Sequence, residues 1–296
     1  MSNRMAPIKQ TKISIDTFEH DAWLRFVSDI HRRYDRQQPA ENISFDFAPC
    51  LSKDAMAPWH VVTYACLIHF LIHKGHIVRQ SRTNEEIFDY IFNVLNFAAY
   101  WKGGKNHVEA GSSNRIFNLW RIVEQEKDLY AKQVEEYFKR YYFEDKDLSA
   151  VSISLVEAFY NVFDHAEAGG NAFSIIFYNE ESQTLSYAVA DFGIGIPTSV
   201  KRFNRACGDD IEALEWAVKD CSTVRSTSRN KGFGMSNILS AAERATIISN
   251  NGLLVKQGDI FAGYPTDGYA FPGTMIYLDI NMSDLEDEEV LDVFTL

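Results

Sequence analysis

Glu157 and Asn161 are spaced i, i+4 in Glu157-Ala-Phe-Tyr-Asn161, so on a helix their side chains share a face. An amide oxygen is a hard ligand of the kind Mg²⁺ takes beside water and phosphate oxygens. A neighbouring carboxylate can orient and deprotonate a water or hydroxyl. Asp164-His165-Ala166 follows directly. Taken alone, this stretch reads first as a solvated polar helix face. Asp191-Phe-Gly-Ile-Gly-Ile-Pro197 comes after a β-rich run. Its carboxylate can accept from an exocyclic amine, and Gly193 and Gly195 let backbone approach something flat or tight. A plain strand-to-helix turn uses the same Gly and Pro. Lys231-Gly232-Phe233-Gly234-Met235 opens a predicted helix running to Arg244. The free N–H groups at such a start attract phosphate, although a glycine hinge reads the same way. Phe271-Pro-Gly-Thr-Met275 leads into the last predicted strand and offers the Thr274 hydroxyl at the base of a pocket. Alone it is ordinary turn chemistry.

These residues need elements to position them. Leu148, Val151, Leu155, Ala158, Phe159 and Val162 recur at helical steps and predict a helix with one buried face. Runs 172–178 and 184–190 predict a hairpin, as do 245–249 and 253–256 around Asn250-Asn251-Gly252. Residues 275–280 form a final strand. The fold class expected is α/β, with a mixed sheet covered by helices on one face. Upstream, the pattern predicts a strand at 43–47, a helix at 58–74 with Gly75 just past its end, a strand at 76–80 and a helix at 85–96. A loop at 101–114 and a charged amphipathic helix at 123–142 follow. The charged run 144–147 marks a boundary.

In order and spacing, the four motifs resemble those of the GHKL ATPase superfamily (gyrase, heat-shock chaperone, histidine kinase, MutL) over residues 148–282. The resemblance implies a Bergerat-type α/β sandwich at 146–283 that binds ATP with Mg²⁺. Asn161 would ligate the metal, and Glu157 would be the general base where there is catalysis. Asp164 would join the nucleotide-binding set. Asp191 would take the adenine amine, with Thr274 supporting it, while Gly193 and Gly195 shape the floor. Lys231, Gly232, Phe233, Gly234 and Met235 would surround phosphate. Residues 198–231 would form a lid over ATP, and its Arg225, Arg229 and Lys231 are either phosphate contacts or surface charge.

Residues 1–145 resemble, more weakly, a STAS domain, which implies a STAS-like regulatory module. The serine at the acceptor position would be Ser52, without the usual flanking residues. Residues 284–296 read as an acidic tail. A histidine-kinase acceptor box is missing, since His107 has the wrong neighbours. The lysine-donating domain of the gyrase and MutL types is not expected either, given the short acidic stretch after Met282. The function implied is an ATP-binding signalling or regulatory protein like the anti-sigma-type regulators, with slow ATP hydrolysis or Ser/Thr kinase activity. An ATPase that drives a conformational cycle and an ATP/ADP sensor are the alternatives. The partner would be another protein or a second copy.

The 296 residues carry a net charge of −12 and are 46% hydrophobic. That balance argues against nucleic acid and against an anionic membrane surface. Cys50, Cys66, Cys207 and Cys221 form no CxxC pair, which speaks against a disulfide framework. His69, His73 and His76 lack the further Cys or acidic ligands a zinc site needs. With no apolar amino-terminal segment and no long apolar run, the expected location is cytoplasmic.

Overall fold

Runs of β-branched and aromatic residues between turn residues build two sheets in this chain. The computed structural model describes residues 8–97, 115–169, 171–219 and 234–287. In the first part, β1 (Lys9–Ile15), α1 (His20–Tyr34), β2 (Glu41–Phe47), α2 (Pro58–His73) and β3 (Ile77–Gln80) alternate. The three strands form a parallel sheet in the order β1-β2-β3. α3 (Glu85–Asp89) follows, and its end widens into a π-turn over Tyr90–Val94. The strands and helices expected between 43 and 96 are therefore present. The loop expected at 101–114 lies outside the described residues.

The remaining strands are β4 (Ile116–Val123), β5 (Asn171–Asn179), β6 (Thr184–Asp191), β7 (Arg244–Asn250), β8 (Gly252–Gln257), β9 (Ile260–Pro265) and β10 (Phe271–Asn281). They form a seven-stranded sheet in the order β4-β5-β6-β10-β7-β8-β9. Every neighbouring pair is antiparallel, which corrects the expectation of a mixed sheet. β6 and β7 do run the same way, but β10 lies between them. β4 precedes the charged run 144–147, so the change of sheet falls earlier, between Gln80 and Ile116. The amphipathic helix that follows, α4 (Lys127–Tyr141), starts later than expected because the chain is still extended at Val123. α5 (Ser149–His165), α6 (Ile196–Phe203), α7 (Asp210–Ala217) and α8 (Gly234–Ser240) complete the fold. α8 stops at Ser240 rather than Arg244, because Arg244 already opens β7.

Helices cover both faces of the large sheet, not one. On the first face, α4, α5 and α8 share a core with Ile176, Tyr187, Val189, Ile247 and Ile276. On the second, α1 and α2 share a core with Phe173, Ile175, Ala188 and Met275. β5 shows why: Ala172, Ile176 and Tyr178 serve one core while Phe173 and Ile175 serve the other. A strand buried on both sides reads as a nearly continuous apolar run. α2 lies between the two sheets, and all of residues 61–67 in it are buried. Its Tyr64 meets Phe45 and Phe47 of β2 at ring-centroid distances of 5.3 and 5.6 Å. A helical stretch buried on every side needs apolar residues on every side, and 61–67 has them apart from Thr63.

Candidate functional site

β6 ends at Asp191. In register, Asp191 stands opposite Thr274 of β10, which stands opposite Ser249 of β7. Directly opposed residues share a face of the sheet. Asp191 alternates with Leu185, Tyr187 and Val189, which lie in the α5 core, so the polar row sits on the α5 face. Asp191 is 2% exposed, Thr274 7% and Ser249 0%. β10 shifts register between Phe271 and Thr274, and Gly273 there has φ +110°. A Cβ at Gly273 would collide with the Asp191 carbonyl and stand 2.6 Å from the Gly193 nitrogen. The bulge thus lays bare backbone against the end of β6, which only glycine permits.

The loop after Asp191 is fixed at both ends. Gly193 N–H donates to Asp191 Oδ1 at 2.8 Å. Ile194 N–H donates at 2.6 Å to the carbonyl of Ala166, the C-cap of α5. A Cβ on Gly193 would run into that same carbonyl. Asn161 lies five residues before Ala166, roughly 7.5 Å along the axis of α5. Gly195, at φ +80°, faces the Asn250 side chain with no room for a Cβ. Ile196 N–H then donates to Ser249 Oγ at 2.9 Å as α6 begins.

Burial pushes the Asp191 carboxyl up to about 8, opposed only by the Gly193 N–H. Burial also raises Glu157, which hydrogen-bonds Asn237 of α8. Asn161 Nδ2 is buried and has no hydrogen-bond partner among the described residues. Asp164 is exposed on the same helix. Gly234 opens α8, and Met235 packs into the core beneath it. The structure therefore joins Asp191, Gly193, Gly195 and Thr274 to the end of the helix that carries Glu157 and Asn161. Lys231, Gly232 and Phe233 lie outside the described residues, as do Arg225 and Arg229. The stretch expected as a lid begins as packed helix: Val200 of α6 and Ala213 and Leu214 of α7 are buried.

Sequence reasoning missed three residues here. Ser249 alternates with Ala245 and Ile247, and a serine at that step of a buried strand was the available signal. Asn237 lies one turn into α8 and carried no signal apart from the Gly234 motif. Phe192 sits between two singled-out residues and links them to the other module. Its ring is 5.3 Å from His31 of α1, 6.3 Å from Phe70 of α2 and 5.9 Å from Phe271. Beside it, a cleft of about 340 Å³ separates α1 from this loop. Gly193 and Gly273 line that cleft, whereas Glu157, Asn161, Asp191 and Thr274 do not.

Elsewhere, Ser52 is exposed and its Oγ caps a short 3-10 turn by accepting from Asp54 N–H at 3.2 Å. His69 and His73 stack at 6.4 Å on α2, and His76 Nδ1 accepts from Glu41 N–H at 3.0 Å. Among the described residues, no group of three or more His, Cys, Asp or Glu is placed to hold a metal ion. Nor is any helix among them long and apolar enough to cross a membrane. No protein-family model matches the chain, and no curated protein is significantly similar to it.

Proposed function

We propose that the chain binds ATP with Mg²⁺ at Asp191 and uses the nucleotide to regulate its association with a protein partner or with a second copy. One observation carries this reading: the buried Asp191–Thr274 pair is stitched, through Gly193 and Ala166, to the end of the helix bearing Asn161. Asp191 accepts the adenine amine, and Thr274 supports it. Bare backbone at Gly193, Gly195 and Gly273 packs the loop tightly beside Asp191 and so holds its carboxyl in place. The side-chain oxygen of Asn161 would take one position on a hard divalent ion, whose remaining ligands would be phosphate and water. Bound there, the ion neutralises phosphate charge. Lys231, Gly232 and Gly234 take the phosphates. The alternating first module acts as the STAS-like regulator, seated against the back of the sheet that carries Asp191 and Thr274.

Glu157 supports turnover as the second reading. Its burial raises the carboxyl, which makes it a better base for an attacking water or a protein hydroxyl. Calorimetric titration of the full chain with ATP tests the binding reading. Asp191→Ala removes a buried acceptor, a loss of about 1.5–3 kcal/mol, and so weakens ATP roughly ten- to a hundredfold. Phosphate release that is present in the parent and abolished in Glu157→Ala assigns an ATPase. Labelled phosphate transferred to a protein assigns a kinase.

A further inference from the structure

Ser249 is fully buried and makes three polar contacts through one oxygen. Ile196 N–H donates to it at 2.9 Å. Its hydroxyl lies 2.7 Å from the Gly273 carbonyl and 3.0 Å from Thr274 Oγ1. A carbonyl can only accept, so the single serine proton goes to Gly273. Ser249 then has none left for Thr274, and in that contact Thr274 must be the donor. The Thr274 proton is thereby turned inward, away from any ligand. What Thr274 has left to offer is lone pairs. Its register partner Asp191 offers acceptor oxygens on the same face.

We propose that Ser249 is a positioning residue that sets the base preference of this site, by fixing the Thr274 hydroxyl as an acceptor beside the Asp191 carboxylate. This rests on reading the Asp191–Thr274 pair as part of an ATP site. Two adjacent acceptors match a group with two hydrogens, the exocyclic amine of an aminopurine. Once Asp191 is ionised they reject a 6-oxo purine, whose oxygen would face two sets of lone pairs with no proton between them. Unpaired acceptors in a buried site are heavily penalised, because neither can recover its hydrogen bond to water.

The test is calorimetric titration of the full chain at about pH 8.5, where the Asp191 carboxyl is mostly ionised, with ATP and with inosine triphosphate, which carries a 6-oxo group in place of the amine. The parent binds ATP at least about tenfold more tightly. In Ser249→Ala the Thr274 hydroxyl is free to turn its proton toward the oxo group. Inosine triphosphate then binds more tightly than it does to the parent, and the preference falls about tenfold. Equal weakening of both nucleotides overturns the proposal and leaves Ser249 as an anchor for Ile196 alone, with the ATP reading intact. Equal binding of both nucleotides to the parent overturns it as well. If Ser249→Ala does not fold by circular dichroism, Thr274→Val decides: a reduced preference supports the acceptor pair and an unchanged one overturns it. A parent chain that binds neither nucleotide overturns this proposal and the ATP reading together.

Discussion

A carboxyl held near 8 is mostly protonated at neutral pH, so Asp191 must lose a proton before it can accept from an amine with both oxygens. ATP affinity is therefore expected to rise roughly tenfold per pH unit below about 8 and then level off. Titrations between pH 6 and 9 check this, and a flat profile contradicts it. The same group acts on the free protein with a definite sign. Its folded value lies above the unfolded one, so its contribution is fully present below about pH 4 and lost as pH rises through about 8. Relative to Asp191→Asn, the parent should lose about 1.4 kcal/mol of unfolding free energy per pH unit over that window. Urea unfolding of both proteins would expose parallel curves if the carboxyl were unperturbed. Asn161→Ala makes a separate prediction: it weakens ATP binding in Mg²⁺ more than in EDTA, because the amide serves the ion. Equal losses would remove Asn161 from the metal.

At the scale of elements, the site depends on three chain segments meeting where no side chain fits. Gly273→Ala adds a Cβ at positive φ against the end of β6 and should destabilise the protein by roughly 2–4 kcal/mol. Thermal unfolding measures it, and an unchanged midpoint would mean the bulge is not needed. The glycines were legible in the sequence because tight backbone approach leaves no other residue. α5 was legible for a similar reason, since Leu148, Val151, Leu155 and Phe159 bury one face at helical steps. β4 and β9 were not. Ile116–Val123 carries Asn118, Trp120 and Arg121 in a pattern without clean alternation, and Ile260–Pro265 is an edge strand exposing Ile260 at 74% and Tyr264 at 50%. β9 lacks the two-sided burial that writes a strand into the sequence, whereas β4 is buried on both faces and its pattern is broken by a register shift between Phe117 and Trp120. Ser249 escaped notice because its meaning comes from long-range register with Thr274, which spacing along the chain does not encode.

For the whole molecule, the large sheet belongs to two cores at once. Phe173, Ile175, Ala188 and Met275 are buried only because α1 and α2 lie over them. A chain beginning at residue 115 would expose that face, and a contiguous apolar face drives aggregation. Such a truncation should aggregate, or bind a hydrophobic dye strongly, in gel filtration and fluorescence assays. A stable, monodisperse fragment would show that the nucleotide-site sheet folds without the first module. The same arrangement places His31 and Phe70 against Phe192, so the first module touches the Asp191 loop from behind. A regulator that senses the nucleotide has its physical route there.

The position of the purine in crystals of the full chain, grown with a non-hydrolysable ATP analogue and Mg²⁺, bears on all of this at once. The expected result is the exocyclic amine within hydrogen-bond distance of Asp191 and Thr274, with the metal on the Asn161 amide. An analogue seated against α1, in the cleft lined by His31 and Phe271, or bound at some other surface, would contradict it.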